Sequence, residues 1–181
     1  MQTTNAQGVG QDLPKEKQTP MGLYVTSREA YEMWKTSPDT IKILDVRTPE
    51  EYLFVGHAEM AWNVPGFIQH YQWDAEKQKF PMTVNPSFLS DVQEIFAPDD
   101  QLLVTCRSGG RSALAIHMLA KAGYKNLYNI VDGFEGDTVN DVESVFNGLH
   151  MRNGWKNSGL PYTFSPNPVQ MRIPKNETNP L

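Results

Sequence analysis

The stretch from Gln101 to Val131 constrains the fold most. Gln101 to Thr105 (QLLVT) is a short apolar, β-type run. Gly109 to Ala122 carries a strong helical pattern that Gly123 stops, and Leu127 to Val131 is β-type again. Strand, helix, strand in that order is a crossover unit, which lays its two strands parallel in one sheet. The same alternation fills the preceding chain. Leu23-Tyr24-Val25 reads as a strand, and Thr26 with Glu29 forms a capping box ahead of a helix bearing Ala30, Tyr31, Met33 and Trp34, which Pro38 ends. Ile41 to Val46 is a second strand. Thr48, Pro49 and Glu51 then take the cap, N1 and N3 positions of a short helix that stops near Gly56. Ala61 to Val64 is a third strand, and Pro86 to Phe96 a helix with Phe88, Leu89, Val92 and Ile95 on its apolar face. The expectation is an α/β fold, a parallel sheet with helices on both faces. In such folds ligands sit beyond the carboxyl ends of the strands, here at Asp45-Val46-Arg47 and Cys106-Arg107-Ser108.

A chain of 181 residues is one domain with decorations, long enough to bury a core without staples. The domain is expected over residues 21–161, with longer connections at about 66–86 and 137–153. The first of these is rich in aromatics, including Phe67, Tyr71, Trp73 and Phe80. Residues 1–20, rich in Gln, Thr, Asn, Gly and Pro, are expected to be disordered. Residues 162–181, broken by Pro166, Pro168, Pro174 and Pro180, are expected to form an extended tail. The net charge of −5 comes with no basic block, which argues against a nucleic-acid partner, and no apolar run is long enough to span a membrane. The start of the chain has no apolar signal-peptide core, so as written it reads as cytoplasmic; removal of an export signal would make it periplasmic. A lone cysteine excludes an internal disulfide and a Cys-rich metal site, and the four histidines lack metal-ligand spacing. No metal and no cofactor are expected.

The chemistry is carried by Cys106-Arg107-Ser108-Gly109-Gly110-Arg111-Ser112. A strand delivers Cys106, and a helix starts straight after the loop. Gly109 and Gly110 let the loop curl so that successive N–H groups face inward, a nest that binds anions and stabilises a thiolate. Arg107 and Arg111 add positive charge, and both effects favour a nucleophilic Cys106 at neutral pH.

These residues resemble the active-site loop of the rhodanese family. Asp45-Val46-Arg47-Thr48-Pro49-Glu50-Glu51-Tyr52, followed by Gly56-His57, is similar to the family's first signature. Gly123-Tyr124, Asn126 to Ile130 and Gly133-Phe134 resemble the stretch after its catalytic helix, and Gly154-Trp155 with Gly159-Leu160-Pro161 its closing segment. The resemblance covers about residues 23–161. Departures are the three residues Leu53-Phe54-Val55 before Gly56, Ala58 in place of a larger aliphatic, and Asp132 where a glycine is frequent.

The resemblance implies a three-layer α/β/α architecture with a five-stranded parallel sheet, the second and fourth strands adjacent. It implies a sulfurtransferase. Cys106 attacks a small anionic donor such as thiosulfate and becomes a persulfide, and cyanide or a thiol, including one on a partner protein, accepts the sulfur. Arg107 is suited to the donor's sulfonate oxygens, while Arg111 closes the loop. Ser108, Gly109, Gly110 and Ser112 complete the binding loop. Asp45, Arg47 and Glu51 are expected to form an ion-pair and capping network beneath it, and His57 to fix a turn. A cysteine phosphatase or arsenate reductase also closes a Cys loop with Arg, but across five intervening residues; here only residues 107 to 110 intervene. A persulfide carrier or a regulatory binding module is the alternative from another class.

Overall fold

The computed structural model describes residues 12–174. In chain order the elements are β1 (Tyr24–Val25), α1 (Ser27–Thr36), β2 (Ile41–Asp45), α2 (Pro49–Phe54), β3 (His57–Ala58), β4 (Ala61–Asn63), β5 (Phe67–Gln69), β6 (Met82–Val84), α3 (Phe88–Gln93), β7 (Gln101–Thr105), α4 (Gly110–Lys121), β8 (Asn126–Ile130) and β9 (Tyr162–Thr163). Five of the strands form one parallel sheet in the order β1-β8-β7-β2-β4. The strand that ends at Asp45 therefore lies beside the one that ends at Thr105, with those two residues in register.

Both faces of the sheet are covered, which is why its strands read as nearly continuous apolar runs. Leu44, Leu102 and Val104 face a core closed by Phe88, Val92, Phe96, Ile116 and Leu119 of the α3 and α4 regions. Ile43, Leu103 and Ile130 face the opposite core, with Ala30, Tyr52, Phe134 and Trp155. No helix among the described residues is long and apolar enough to cross a membrane. Both expected capping boxes are present: Thr26 with Glu29 opens α1, and Thr48 with Glu51 opens α2. α3 is shorter than its apolar pattern suggests. Asn85 accepts hydrogen bonds from Ser87 and Phe88, so the chain turns after Pro86 before it coils.

The long connections have structure of their own. Residues 66–86 form an antiparallel hairpin of β5 and β6, with Trp73 and Phe80 stacked edge to face at 5.2 Å near its tip. Residues 137–153 are irregular, pinned by a bridge between Thr138 and His150.

The expected boundaries at 21 and 161 need correction on both sides. Residues 12–20 are not unstructured. A 3-10 turn at Lys15–Lys17 packs against α4, and Lys17 donates from Nζ to Val131 O at 2.8 Å and to Asp137 at 2.6 Å. Local composition misled because these contacts span more than a hundred residues. After Pro161 the chain pairs β9 with β3, and Met171 bridges to Asn63 at the edge of the main sheet. Residues 1–11 and 175–181 of the two expected tails lie outside the described residues.

Candidate active site

β7 ends at Thr105 and delivers Cys106 into a loop between the carboxyl end of the sheet and the start of α4. The side chain is 1% exposed. Gly109 N–H donates to Sγ at 3.2 Å, and Ser112 Oγ lies 3.4 Å from it. The loop's carbonyls turn the other way: Cys106 O accepts from Phe134 N at 2.8 Å, and Arg107 O from Glu135 N and Gly136 N at 2.9 and 3.1 Å. With these carbonyls engaged behind, the loop turns the Gly109 N–H toward the sulfur at the amino end of α4.

Two glycines make this possible. Gly109 has φ +94°, and a Cβ there would stand 2.3 Å from Val131 O. Gly133 has φ +62°, and its Cβ would stand 2.5 Å from Arg107 O. Gly110, expected to share the bending, is instead the first residue of α4 with nothing nearer than 3.9 Å to its Cβ position.

Arg111 does not aim a free charge at the sulfur. Its guanidinium forms a two-pronged pair with Glu51, at 2.7 and 2.5 Å, and approaches Met82 Sδ at 3.8 Å. Glu51 is also the N3 residue of the α2 capping box and accepts from Thr48 N. Burial alone would push the Glu51 carboxyl up, but the hydrogen bonds and charge of Arg111 outweigh it and hold the carboxyl below its usual range. Arg111 in turn is held charged more firmly than a free guanidinium, burial opposing and Glu51 prevailing.

Asp45 and Arg47 make a second, separate pair. Arg47 Nη2 lies 2.7 Å from Asp45 Oδ2 and 2.8 Å from Gly56 O, and both residues are fully buried. The guanidinium lies over the Phe134 ring at 4.1 Å, with Glu135 Oε1 at 3.9 Å from Nη1. Asp45, Arg47 and Glu51 were expected to form one network; they divide into two, because Glu51 on α2 reaches the loop while Arg47 turns back to its own strand. His57 stacks on Tyr52 with ring centroids 3.6 Å apart, and its Nδ1 donates to Tyr52 O at 3.0 Å. It fixes the turn after α2. The Arg107 side chain is exposed and Ser108 half-buried at the rim of the loop.

Sequence reasoning passed over Asn129, Asp132 and the 133–136 turn as parts of the site. Asn129 is fully buried in β8, and Ser112 donates to its Oδ1 at 2.6 Å. Asp132, noted only as a departure, accepts from Ser27 N, Ser27 Oγ and Gly154 N, and fastens the 131–136 segment against α1. The available signal was an Asn within a strand otherwise rich in apolar residues, which demands a buried partner.

A profile of the rhodanese-like domain matches residues 26–138. The chain belongs to the rhodanese-like family. The uncharacterized protein RP600 of Rickettsia prowazekii is 31% identical over 140 residues, which is 77% of this chain and 96% of that protein. The chloroplastic thiosulfate sulfurtransferase 16 of Arabidopsis thaliana is 40% identical over 101 residues, 56% of this chain and 77% of that protein. Among solved structures, the crystal structure of Rv0390 from M. tuberculosis matches with a TM-score of 0.60 at 28% identity, over 78% of this chain and 97% of that one. The family match spans the Cys106 loop, both capping boxes and the 133–136 turn; the N-terminal segment and residues 139–174 lie beyond it.

Proposed function

We propose that this rhodanese-like protein is a sulfurtransferase that carries sulfane sulfur on Cys106. The observation that carries the reading is the placement of Sγ, 3.2 Å from Gly109 N–H at the amino end of α4, in a loop whose carbonyls are engaged elsewhere. An N–H donor at a helix start suits a thiolate and, after transfer, the terminal sulfur of a persulfide. The Arabidopsis relative's name as a thiosulfate sulfurtransferase points the same way.

The chemistry balances without a general base. The Cys106 thiolate forms a bond to the outer sulfur of thiosulfate, and the old S–S bonding pair leaves with sulfite. A thiophilic acceptor, cyanide or a thiol, then attacks the terminal sulfur and returns the thiolate. Arg107 is exposed at the rim and serves the donor's sulfonate oxygens, while Arg111, neutralised by Glu51, keeps the loop closed.

The test is mass spectrometry of the intact protein. Thiosulfate should add one sulfur atom, about 32 Da, and cyanide should remove it, with Cys106→Ser inert to both but folded. No mass gain where an established sulfurtransferase loads would defeat the reading. Delivery of the sulfur to a thiol on a partner protein is a second reading. It is favoured by the apolar hairpin beside the loop, where Met82 meets Arg111 and Trp73, Phe80 and Val84 are exposed. Loading without cyanide turnover would select it.

A further inference from the structure

Behind the sulfur lies a buried chain of side chains that the reaction scheme has not used. Asn129 Nδ2 donates to Lys17 O at 2.9 Å and to Gly109 O at 3.1 Å. Carbonyls only accept, so the orientation of the amide is fixed: its NH2 faces the two carbonyls and its Oδ1 faces Ser112. Oδ1 carries no proton, so the Ser112 hydroxyl must donate across the 2.6 Å between them. That hydroxyl has one proton and three acceptors in reach: Asn129 Oδ1 at 2.6 Å, Gly109 O at 3.1 Å and Cys106 Sγ at 3.4 Å. The shortest contact takes it. Ser112 therefore offers Cys106 a lone pair, which welcomes an S–H proton and opposes a bare negative charge on Sγ.

We propose that Asn129 is a positioning residue for sulfur transfer: by holding the Ser112 proton, it disfavours charge on Cys106 Sγ. The inference rests on the persulfide reading above. In the thiol and in the loaded persulfide Sγ is uncharged, the persulfide's charge residing on the outer sulfur. Only the unloaded thiolate places charge on Sγ. A device that raises the free energy of that state sharpens the nucleophile and drives loading forward, because the attack moves the charge from Sγ to the incoming sulfur as sulfite departs. The device is anchored by the backbone of Lys17, so the N-terminal segment is part of it. The charged groups around the loop are Arg107 on the loop itself, Arg111 with Glu51 from α4 and α2, Asp45 with Arg47 at the end of β2, and Glu135 after β8. None of them is altered in the variants below.

The experiment uses the full chain with Asn129→Ala, Ser112→Ala and the double variant. Two quantities are read: the pH midpoint of Cys106 alkylation by iodoacetamide, which needs no sulfur donor, and the persulfide fraction at equilibrium in thiosulfate–sulfite mixtures buffered above that midpoint, where the unloaded enzyme is the thiolate. Asn129→Ala frees the Ser112 proton, and the thiolate takes it in preference to Gly109 O, because the sulfur is charged and its larger radius makes 3.4 Å a full contact. The midpoint should fall by about one pH unit and the loading equilibrium by roughly tenfold, the scale of a hydrogen bond to a charged group. On the Ser112→Ala background the same substitution should change neither by more than about twofold, because the proton it releases is gone. Equal effects on both backgrounds, or no shift at all, would overturn the proposal. Should Asn129→Ala not fold, Ser112→Ala decides alone. A lower midpoint supports a hydroxyl already given to Asn129, because the opposing lone pair is gone, and an unchanged or higher midpoint overturns the proposal. A parent protein that alkylates as described but never loads sulfur would remove the sulfurtransferase reading while leaving the role of Asn129 decided.

Discussion

Two adjacent glycines follow Ser108, and the backbone uses them differently. Gly109 sits in the left-handed region with Val131 O against the place a Cβ would fill, so Gly109→Ala must displace the loop or the end of β8. Gly110 is helical and open, so Gly110→Ala should fold normally and gain about 0.5–1 kcal/mol by restricting the unfolded chain. Urea unfolding and persulfide loading of the two variants test this; equal behaviour would mean that the loop's shape does not depend on Gly109. The two arginines divide in the same way. Arg107 is exposed, so Arg107→Ala should mainly raise the KM for thiosulfate, by the roughly 1.5–3 kcal/mol of a charged hydrogen bond. Arg111→Ala leaves the Glu51 carboxylate four-fifths buried and unpaired, and should lower stability and every step of turnover together. Steady-state kinetics beside denaturation curves separate these outcomes, and small equal effects of both substitutions would remove the division.

Among the elements, the two capping boxes offer a matched comparison. Both were legible in the sequence, because a cap and its N3 partner lie three residues apart and need no tertiary information. They differ in what the N3 carboxylate touches. Among the described residues Glu29 serves its own cap alone, accepting from Thr26 N and Oγ, whereas Glu51 serves Thr48 and also clamps Arg111. Thr26→Ala and Thr48→Ala should each cost about 1 kcal/mol of stability. Only Thr48→Ala should also disturb sulfur transfer, since it loosens the carboxylate that closes the loop; equal activity in the two variants would show that α2 does not position Arg111. The β5–β6 hairpin was not legible as strands. Phe67–Gln69 and Met82–Val84 are three residues each, too short for a period-two alternation to be read from sequence.

At the scale of the whole molecule, what the sequence left unread is long-range. Lys17 reaches Asp137, Asn129 reaches back to Lys17, and Asp132 holds Ser27; each joins residues more than a hundred positions apart, beyond any periodicity or cap. The parallel α/β sheet and the Cys106 loop were legible because crossover units and a strand–loop–helix turn are local patterns repeated along the chain, whereas the adjacency of the second and fourth strands came only with the family resemblance.

His57 ties its own region together through Tyr52, and it makes the stability of the whole fold depend on pH. Burial against the Tyr52 ring disfavours the imidazolium and pulls the His57 pKa below its ordinary 6.5, prevailing over the carbonyl of Tyr52, which favours the charged form. The sign follows from linkage. Below about pH 6.5 the unfolded chain takes up a proton that the folded chain refuses, so stability falls with falling pH until the folded pKa is reached. Glu51, also held low, acts in the same direction but only in the carboxylate range: its stabilisation is present above the unfolded pKa and is lost as pH falls through the folded one. Asp132, pushed up by burial, acts oppositely. Both carboxylates are common to the parent and a His57→Gln variant, so they cancel in the comparison. Urea unfolding at pH 7.5 and 5.5 should show the parent losing stability at the lower pH. His57→Gln, less stable at pH 7.5 for want of the stacked ring, should lose less on acidification. A variant that loses as much as the parent between those two pH values would show that His57 is not the group that titrates.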